Sequence, residues 1–438
     1  MNFKTTASEI ARQLQAAGFA AYWVGGCVRD ILLGREPHDY DIATDARPEQ
    51  VEALFSRTIP VGRQFGVMIV LSHGHECQVA TFRAEADYQD GRHPSKVKFC
   101  NAQADASRRD FTINGLFFDP VSGQLHDWVG GEADLRARII RTIGPPEERF
   151  AEDHLRLLRA VRFAAQLDFQ IDPGTLAAVQ ANASKVATVS AERIRDELLK
   201  IFRPPHAACG LDLLRDSGLL QIVLPEISAM IDCEQSADFH PEGSVYNHIR
   251  LMLSQLPPHA DACLPWTVLM HDVAKPLTAS KDLATGSIHF YGHEKMGAEM
   301  AESILQRLRF PRRQLDDIKT AVLYHMQFKD VTRMRKSTLR RMLMRETFPL
   351  EMALHRLDCL GSHRRLDHYD FMLQQAELLA RQPQIIPSLL TGNDLKELGV
   401  QPGPAMGTLL AEIRELQLED ELKTAEEARD WVKRRLQL

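Results

Sequence analysis

The hydrophobic pattern of the chain changes once, near residue 147, and this change limits its fold more than any other feature. Before that point, short runs rich in Val, Ile and Thr alternate with amphipathic segments. The predicted strands are 20–24, 39–43, 66–71 and 77–82, and the predicted helices are 28–34 and 8–19, the latter opened by Ser8 and closed by Gly18. After that point, apolar residues recur at helical spacing in segments such as 152–167, 190–202, 294–309 and 314–327. The pattern predicts an α+β fold, with an α/β head followed by a long, mostly α-helical body.

The composition excludes several classes of protein. With 438 residues, 44% of them hydrophobic and 26% charged, the chain has the makeup of a globular protein of roughly two to four domains. Its net charge of −6 means that any site for a polyanion must be a local basic patch. The seven cysteines form no CxxC pair, and no apolar run approaches the roughly 20 residues that span a bilayer. We therefore expect a cytoplasmic protein that does not bind a membrane, and no obligate protein partner is evident.

Two features of the head carry chemistry. The first strand runs into Gly25-Gly26 and then a helix, which exposes backbone N–H groups where a triphosphate can bind. Asp39 and Asp41 lie two apart on a predicted strand, so both carboxylates project from one face. Such a pair can share divalent cations, which activate an attacking hydroxyl and neutralise a leaving pyrophosphate. Either feature alone is common, but the two in this order are far more specific.

Four motifs in order resemble those of one enzyme family. The run Tyr22–Thr44, YWVGGCVRDILLGREPHDYDIAT, is similar to the signature of the class II tRNA nucleotidyltransferases and bacterial poly(A) polymerases. After it, Asp87–Arg92 resembles the flexible loop of the CCA-adding members. Arg108–Asn114 then resembles the family's sugar-selecting motif, and Glu152–Arg156 resembles its base-reading motif. The similarity covers residues 20–205 closely.

The resemblance implies a nucleotidyltransferase head built on a mixed sheet. It implies an enzyme that adds the 3′-terminal CCA to tRNA from CTP and ATP without a template, the flexible loop helping the pocket to switch between them. Asp39 and Asp41 would hold two Mg²⁺ ions while the tRNA 3′-hydroxyl attacks the α-phosphate. The residues implied to bind the nucleotide are Gly25, Gly26, Arg29, Arg108, Arg109, Asp110, Asn114, Asp153, Arg156, Arg159 and Arg162.

The implied reading of base and sugar has a physical rationale. Asp153 and Arg156 are spaced i, i+3, so on a helix they share one face. A carboxylate accepts from the exocyclic amine of cytosine or adenine, and a guanidinium donates to the adjacent ring nitrogen. Uracil and guanine present the opposite polarity and leave buried groups unpaired, at about 1–3 kcal/mol each. Asp110 can accept from a 2′-hydroxyl, which favours ribonucleotides.

One position departs from the family pattern. Gln78 stands on the strand before Thr81-Phe82, where the family usually carries a carboxylate. Glu76 lies two residues earlier and is expected to point to the same face. The sequence leaves open whether a third acid assists metal binding.

A second constellation between residues 240 and 360 resembles the metal-dependent HD phosphohydrolases. Its members are His248, His271, Asp272, His293, His325 and Asp358. The resemblance implies an HD-type helical domain in which side chains of adjacent helices bind a divalent transition metal. It also implies phosphohydrolase activity, and the alternative is a scaffold whose histidines are merely buried and hydrogen-bonded.

Together these observations predict that the chain has four parts, and they leave two alternative functions. The parts are a catalytic head (1–142), a helical neck that reads the base and binds RNA (143–212), an HD-type domain (213–376) and a helical tail (377–438). A basic run, Arg333–Arg345, is a further candidate RNA contact. An A-adding or CC-adding tRNA nucleotidyltransferase or a poly(A) polymerase would share every head motif. The second alternative is an HD phosphohydrolase with an RNA-binding head.

Overall fold

The computed structural model describes residues 1–88, 94–236, 241–285, 287–380 and 387–437, and these form two compact units. The first unit is Met1–Ser228 and the second is Ala229–Leu438. Their boundary lies inside the predicted HD-type domain, so the finer division into four parts stays a prediction. No helix among the described residues is long and apolar enough to cross a membrane.

The described strands of the first unit form one seven-stranded mixed sheet and two small pairs. They are β1 (Ala21–Val24), β2 (Asp41–Thr44), β3 (Thr58–Gly62), β4 (Val67–Ser72), β5 (His75–Thr81), β6 (Arg83–Tyr88), β7 (Pro94–Phe99), β8 (Phe117–Phe118), β9 (Leu125–His126), β10 (Ile139–Ile140) and β11 (Gln170–Ile171). The large sheet has the order β3-β4-β5-β2-β1-β8-β9, in which only β2 and β5 run parallel. Its centre packs through buried Val24, Ala43 and Phe117. The predicted mixed-sheet head is confirmed.

Helices cover this sheet and form the rest of the first unit. They are α1 (Phe3–Ala16), α2 (Gly26–Leu32), α3 (Pro48–Leu54), α4 (Ala102–Ser107), α5 (Gly131–Ala137), α6 (Pro146–Glu152), α7 (Arg156–Leu167), α8 (Pro173–Asn182), α9 (Ala191–Ile201), α10 (Ala207–Asp216), α11 (Leu220–Val223) and α12 (Pro225–Ser228). The first helix begins earlier than predicted because the Asn2 side chain, rather than Ser8, caps it by accepting the Thr5 N–H. The predicted helix 152–167 was wrong as a single element, since the backbone is extended at Asp153, between α6 and α7.

The second unit is mostly helical, as predicted. Its described helices are α13 (Val245–Ser254), α14 (Leu264–Met270), α15 (Lys275–Thr278), α16 (His293–Arg307), α17 (Arg312–Tyr324), α18 (Lys336–Leu343), α19 (Phe348–Gly361), α20 (Asp367–Ala380), α21 (Gly392–Glu397), α22 (Pro404–Leu418) and α23 (Ala425–Leu436). A 3₁₀ helix, His325–Arg333, follows α17, and β12 (Ser280–Lys281) pairs with β13 (Ile288–His289). One apolar cluster joins α18, α19 and α20, and a separate cluster holds α21, α22 and α23 together.

Candidate functional site

A cleft of about 610 Å³ in the first unit, here called the head cleft, collects every residue that the sequence predicted for the head. Its lining includes the predicted residues Gly25, Gly26, Arg29, Asp39, Asp41, Arg108, Arg109, Asp110, Asn114, Asp153, Arg156, Arg159 and Arg162. Among the described residues, eight arginines and five aspartates line it, although the whole chain carries a net charge of −6. The cleft is therefore a local cationic site suited to a polyanion such as a triphosphate.

The acidic residues Asp39 and Asp41 lie at the start of β2. Asp41 begins β2 and lies opposite Val24 of β1, which places it beside the Gly25-Gly26 turn. Asp39 precedes the strand instead of lying on it as predicted. Burial, followed by the charge of Asp39, raises the pKa of Asp41 to about 6, against a smaller opposing effect of Arg109. Two carboxylates that repel each other, one of them partly buried, are the donor set that hard divalent cations stabilise.

Gln78, at the position where the family usually carries a carboxylate, changes the side-chain group that lies next to Asp41. In the parallel pair of β2 and β5, Ile42 lies opposite Val79, so the preceding residues Asp41 and Gln78 are neighbours. Gln78 lines the head cleft, whereas Glu76 is not among the described residues that line it. The position next to Asp41 therefore offers a neutral amide oxygen, and Glu76 does not replace the missing acid.

A continuous polar network supports the floor of the cleft. The buried Asp110 carboxylate accepts from Arg159 Nε at 2.8 Å and from Asn114 Nδ2 at 3.1 Å. Asn114 Oδ1 in turn accepts from Arg29 Nη1 at 2.9 Å. Burial alone would raise the pKa of Asp110, but Arg159 and the Asn114 amide hold that pKa well below its usual range. Asp110 is thus an ionised acceptor whose orientation is set before any ribose arrives.

The predicted base-reading pair lies in the cleft, but its two members are not on one helix and do not pair with each other. Asp153 sits at the break before α7, where its Oδ1 accepts the Leu155 N–H at 3.0 Å. The buried Arg156 guanidinium donates to the backbone carbonyls of Arg149 and Arg108 and pairs with Glu152. Arg156 Nε and one Nη2 hydrogen then have no partner within the described part of the chain. Each side chain is held separately and keeps hydrogen-bonding capacity for a base.

Two cleft-supporting residues on α9 were missed by the sequence analysis. Arg193 Nη2 lies 2.7 Å from Asp153 Oδ2, and Glu197 Oε2 lies 2.7 Å from Arg162 Nε. Arg162 also lies over the Phe163 ring, with its guanidinium carbon 4.0 Å from the ring centroid. The available signal was spacing, since Arg193 and Glu197 are four residues apart and so share a face of the predicted helix 190–202.

Arg193→Ala is expected to weaken base selection more than folding. Without its partner the Asp153 carboxylate loses one of its two fixed contacts, so we expect the preference for CTP over UTP to fall by about tenfold. Competition assays with both nucleotides would measure this preference. Arg215→Ala is the matched control, because Arg215 pairs with Asp212 and Asp216 and is not among the described cleft residues. An equal loss with both nucleotides would leave Arg193 only a structural role.

The second unit brings together all six residues of the predicted HD constellation, here called the HD cluster. His248 lies on α13, His271 and Asp272 follow α14, His293 begins α16, His325 follows α17, and Asp358 lies on α19. Their ligand atoms form two groups, each with its atoms within 4.8 Å of one another: His248, His271 and Asp358, and Asp272, His293 and His325.

Backbone contacts orient the imidazoles of the HD cluster. Nδ1 of His271, His293 and His325 lies 2.6–2.8 Å from the carbonyl oxygens of Val268, Phe290 and Val322, respectively. Because a carbonyl only accepts, each Nδ1 carries the proton and Nε2 is left to face the cluster. His293 Nε2 and His325 Nε2 are 3.2 Å apart, and burial, followed by the charge of His271, lowers the pKa of His325 to about 3. Lone pairs facing each other inside a buried cluster fit a metal site better than a hydrogen-bonded scaffold.

The sequence analysis missed two charged neighbours of the HD cluster. Glu242 Oε1 lies 2.7 Å from His248 Nδ1, and the buried Lys275 Nζ lies 2.8 Å from Asp272 Oδ2. Burial alone would lower the pKa of His248, but hydrogen bonds to Asp358 and Glu242 raise that pKa to about 9.

Two other sequence predictions concern the basic run Arg333–Arg345 and the flexible loop Asp87–Arg92. Within the basic run, Lys336 and Arg340 pair with Asp420, and Arg341 pairs with Glu415. These ion pairs hold α18 against α22 and the residues that follow it, so RNA contact by this run stays a prediction. In the predicted flexible loop, residues 89–93 lie outside the described residues.

Comparisons with known proteins match family models to the parts of the chain that contain most residues of both sites. Three family models match the chain: the poly(A) polymerase head domain matches residues 21–141, the probable RNA and SrmB-binding site of polymerase A matches residues 168–231, and the HD domain matches residues 244–360. The CCA-adding enzyme of Levilactobacillus brevis is 33% identical over 410 residues, covering 93% of this chain and 91% of that protein. The CCA-adding enzyme of Latilactobacillus sakei is 38% identical over 276 residues, 62% of this chain and 69% of the relative. The crystal structure of the Bacillus stearothermophilus CCA-adding enzyme in complex with CTP superposes with a TM-score of 0.77 at 27% identity, covering 100% of this chain and 98% of that one.

Proposed function

The chain belongs to the family of CCA-adding enzymes, which are tRNA nucleotidyltransferases, and we propose that its head cleft rebuilds the 3′-terminal CCA of tRNA from CTP and ATP. One observation carries the proposal. A carboxylate pair suited to cations, an excess of arginines and a preorganised Asp153 and Arg156 all line one cleft. That combination matches template-independent nucleotidyl transfer, because it supplies cation, triphosphate and base contacts from protein alone.

Each residue of the head cleft has a role that follows from its chemistry. Asp39 and Asp41, with the Gln78 amide beside them, would hold two Mg²⁺ ions, the number being implied by the family. Mg²⁺ bound there would lower the pKa of the attacking 3′-hydroxyl and neutralise charge on the pyrophosphate. Arg109 Nε is buried without a hydrogen-bond partner among the described residues, as expected of a donor waiting for phosphate. Asp110, held by Arg159 and Asn114, accepts from the ribose 2′-hydroxyl.

Asp153 and Arg156 select the base. The Asp153 carboxylate accepts from the exocyclic amine that cytosine and adenine share, and Arg156 donates to the adjacent ring nitrogen. Since the same two groups fit both bases, a single pocket serves every addition. The related enzymes are named CCA-adding, which favours full CCA addition over A-only or CC-only addition and over poly(A) synthesis. The seven cysteines are all free and lie in the described ranges, in keeping with the proposal that the enzyme works in the cytoplasm.

The test of the head function is incorporation of labelled CMP and AMP by the purified protein. A tRNA that lacks CCA is expected to gain two CMP and one AMP, and an unstructured RNA of equal length is expected to gain almost none. Long A-tails on the unstructured RNA would instead identify a poly(A) polymerase.

The second unit supports a second candidate function, metal-dependent phosphohydrolysis. The supporting observation is the set of buried imidazoles with Nε2 facing inward between Asp272 and Asp358. A divalent transition metal bound there would activate water and stabilise charge on a phosphate ester. Asp272 and Asp358 would hold the metal, and Glu242 would keep His248 in place.

Removing His271 and Asp272 is expected to abolish this second activity alone. The double variant His271→Ala/Asp272→Ala should lose its transition metal and its hydrolysis of phosphomonoesters and 2′,3′-cyclic phosphates, while CCA addition continues. Elemental analysis and a phosphate-release assay measure the two effects. A wild-type protein with neither bound metal nor metal-stimulated hydrolysis would reduce the cluster to a scaffold.

A further inference from the structure

We propose that three aromatic side chains outside the head cleft hold Asp39 in the position that a bound Mg²⁺ ion requires. They are Phe3, Trp23 and Tyr40, here called the aromatic clamp, and Phe3 belongs to the first helix of the chain. The inference rests on the proposed cation site of Asp39 and Asp41. It adds positioning residues that touch neither the nucleotide nor the cation.

Asp39 has little support of its own. It precedes β2, it is exposed, and it forms no hydrogen bond or ion pair with another residue of the described part of the chain. Asp41, by contrast, lies on β2 opposite Val24. A side chain of a binding site has to be held within about 0.5 Å of its productive position. Another contact must therefore fix the chain at Asp39.

That contact is made by the next residue, Tyr40. Asp39 and Asp41 both line the head cleft, whereas Tyr40 is 3% exposed and is not among the described residues that line it. This alternation is expected of an extended chain, in which successive side chains point to opposite faces. Because Tyr40 stands directly between the two carboxylates in the sequence, any movement of its ring is passed to the backbone that carries them.

The aromatic clamp holds Tyr40 between two separate elements. The Tyr40 ring meets Trp23 of β1 edge to face, with centroids 4.8 Å apart, and it meets Phe3 of α1 in the same way at 5.5 Å. Trp23 is 2% exposed and lies opposite Ile42 in the pairing of β1 with β2, so the sheet fixes its position. Edge-to-face pairs at this spacing are favourable beyond the area that they bury. The clamp therefore restrains Tyr40 from both the sheet and the helix.

Phe3 is in turn held by His75 of β5. The two rings stack with centroids 4.9 Å apart, and His75 Nε2 lies 3.1 Å from the carbonyl oxygen of Met1. The Asn2 side chain caps the helix that begins at Phe3. The first turn of α1 is thus fixed to the sheet, and through Tyr40 it supports a cation site that lies much later in the sequence.

Loss of the aromatic clamp is expected to weaken cation binding more than the chemical step. If Asp39 is free to move, binding of the ion has to order it, and that ordering lowers the affinity. Saturating Mg²⁺ then restores the arrangement. A purely structural defect behaves differently, because a smaller folded fraction lowers the rate by the same factor at every Mg²⁺ concentration. The Mg²⁺ concentration that gives half the maximal rate therefore separates the two cases.

The first measurement is CMP incorporation by the full chain as a function of Mg²⁺ concentration. Tyr40→Leu is expected to raise the half-saturating Mg²⁺ concentration about tenfold and Phe3→Leu about threefold, with maximal rates within about twofold of the wild type. Tyr40→Phe keeps the ring and is expected to restore the wild-type value. Phe169→Leu is the matched control, because it removes a buried ring of the first unit that is outside the clamp. It should leave the half-saturating concentration unchanged.

Direct binding of Mn²⁺ gives a readout that does not depend on activity. Each variant is combined with His271→Ala/Asp272→Ala, so that the HD cluster does not compete, and electron paramagnetic resonance of free Mn²⁺ follows binding in the presence of an unreactive CTP analogue. Tyr40→Leu and Phe3→Leu are expected to bind Mn²⁺ more weakly by the same factors, and Tyr40→Phe and Phe169→Leu are expected to match the parent.

The outcomes separate the aromatic clamp from the proposed cation site. An unchanged half-saturating Mg²⁺ concentration and an unchanged Mn²⁺ affinity in Tyr40→Leu and Phe3→Leu would overturn the clamp and leave the cation site intact. Circular dichroism shows whether each variant folds, and if Tyr40→Leu does not, Phe3→Leu decides, since Phe3 is only partly buried. Incorporation by the wild type without any divalent cation would instead overturn the cation site itself.

Discussion

Asp41→Asn is expected to lower incorporation of both CMP and AMP by roughly 10³-fold or more, while tRNA affinity changes by less than about twofold. The asparagine keeps the shape of the side chain but removes one charge of the carboxylate pair, and every addition cycle needs the same cation site. Single-turnover incorporation in Mg²⁺ measures the chemical step, and a binding assay measures tRNA affinity.

Asp45→Asn is the matched control for this prediction. Asp45 follows β2 directly and accepts the Ala20 N–H at 2.8 Å, but it is not among the described residues of the head cleft. Near-normal incorporation is expected from it. If Asp41→Asn kept incorporation within about tenfold of the wild type, the cation site would have to lie elsewhere.

Arg156→Ala is expected to reduce CMP incorporation by about 10²-fold and to reduce the preference for CTP over UTP at the same time. The guanidinium is buried and fixed by two backbone carbonyls, so its loss removes a preorganised donor as well as a charge. Uracil presents the opposite polarity to that donor, so the rate of incorporation from UTP is expected to fall less. Incorporation of each nucleotide as kcat/KM gives the comparison.

Asp153→Asn tests the other member of the base-reading pair of Asp153 and Arg156. An amide both donates and accepts, so this variant is expected to admit UTP and GTP more readily. Arg141→Ala is the control, because Arg141 pairs with Asp134 and Asp172 and is not among the described residues of the cleft. Equal loss with all four nucleotides in both cleft variants would mean that Asp153 and Arg156 only stabilise the fold.

The sequence predicted the elements that depend on local pattern. The strand before Gly25-Gly26 lies where the short apolar run and the glycines indicated, whereas the strand at Asp41 begins two residues later than predicted. The local pattern indicated Gly25, Gly26, Asp39 and Asp41, and the family resemblance supplied the other predicted residues of the head cleft. Helical periodicity found the body, but periodicity cannot show which helices meet.

The misses have several causes, of which one is contact between residues that are far apart in the sequence. The break at Asp153 is stabilised by Arg193, 40 positions later, and no local pattern encodes that pair. Glu242 lies outside the six-residue HD pattern, so its contact with His248 was not anticipated. The division of the HD cluster into two groups likewise depends on how five helical elements pack, which residue order alone does not contain.

The most direct test of the central claim follows one nucleotide at a time. Four transcripts of one tRNA, ending before CCA, after C, after CC and after CCA, are incubated with CTP or ATP alone and their 3′ ends are sequenced. One active site with protein-based selection predicts CMP on the first two, AMP on the third, and nothing on the fourth. Addition of AMP to the first transcript at a rate near that of CMP, or continued addition to the fourth, would contradict the account.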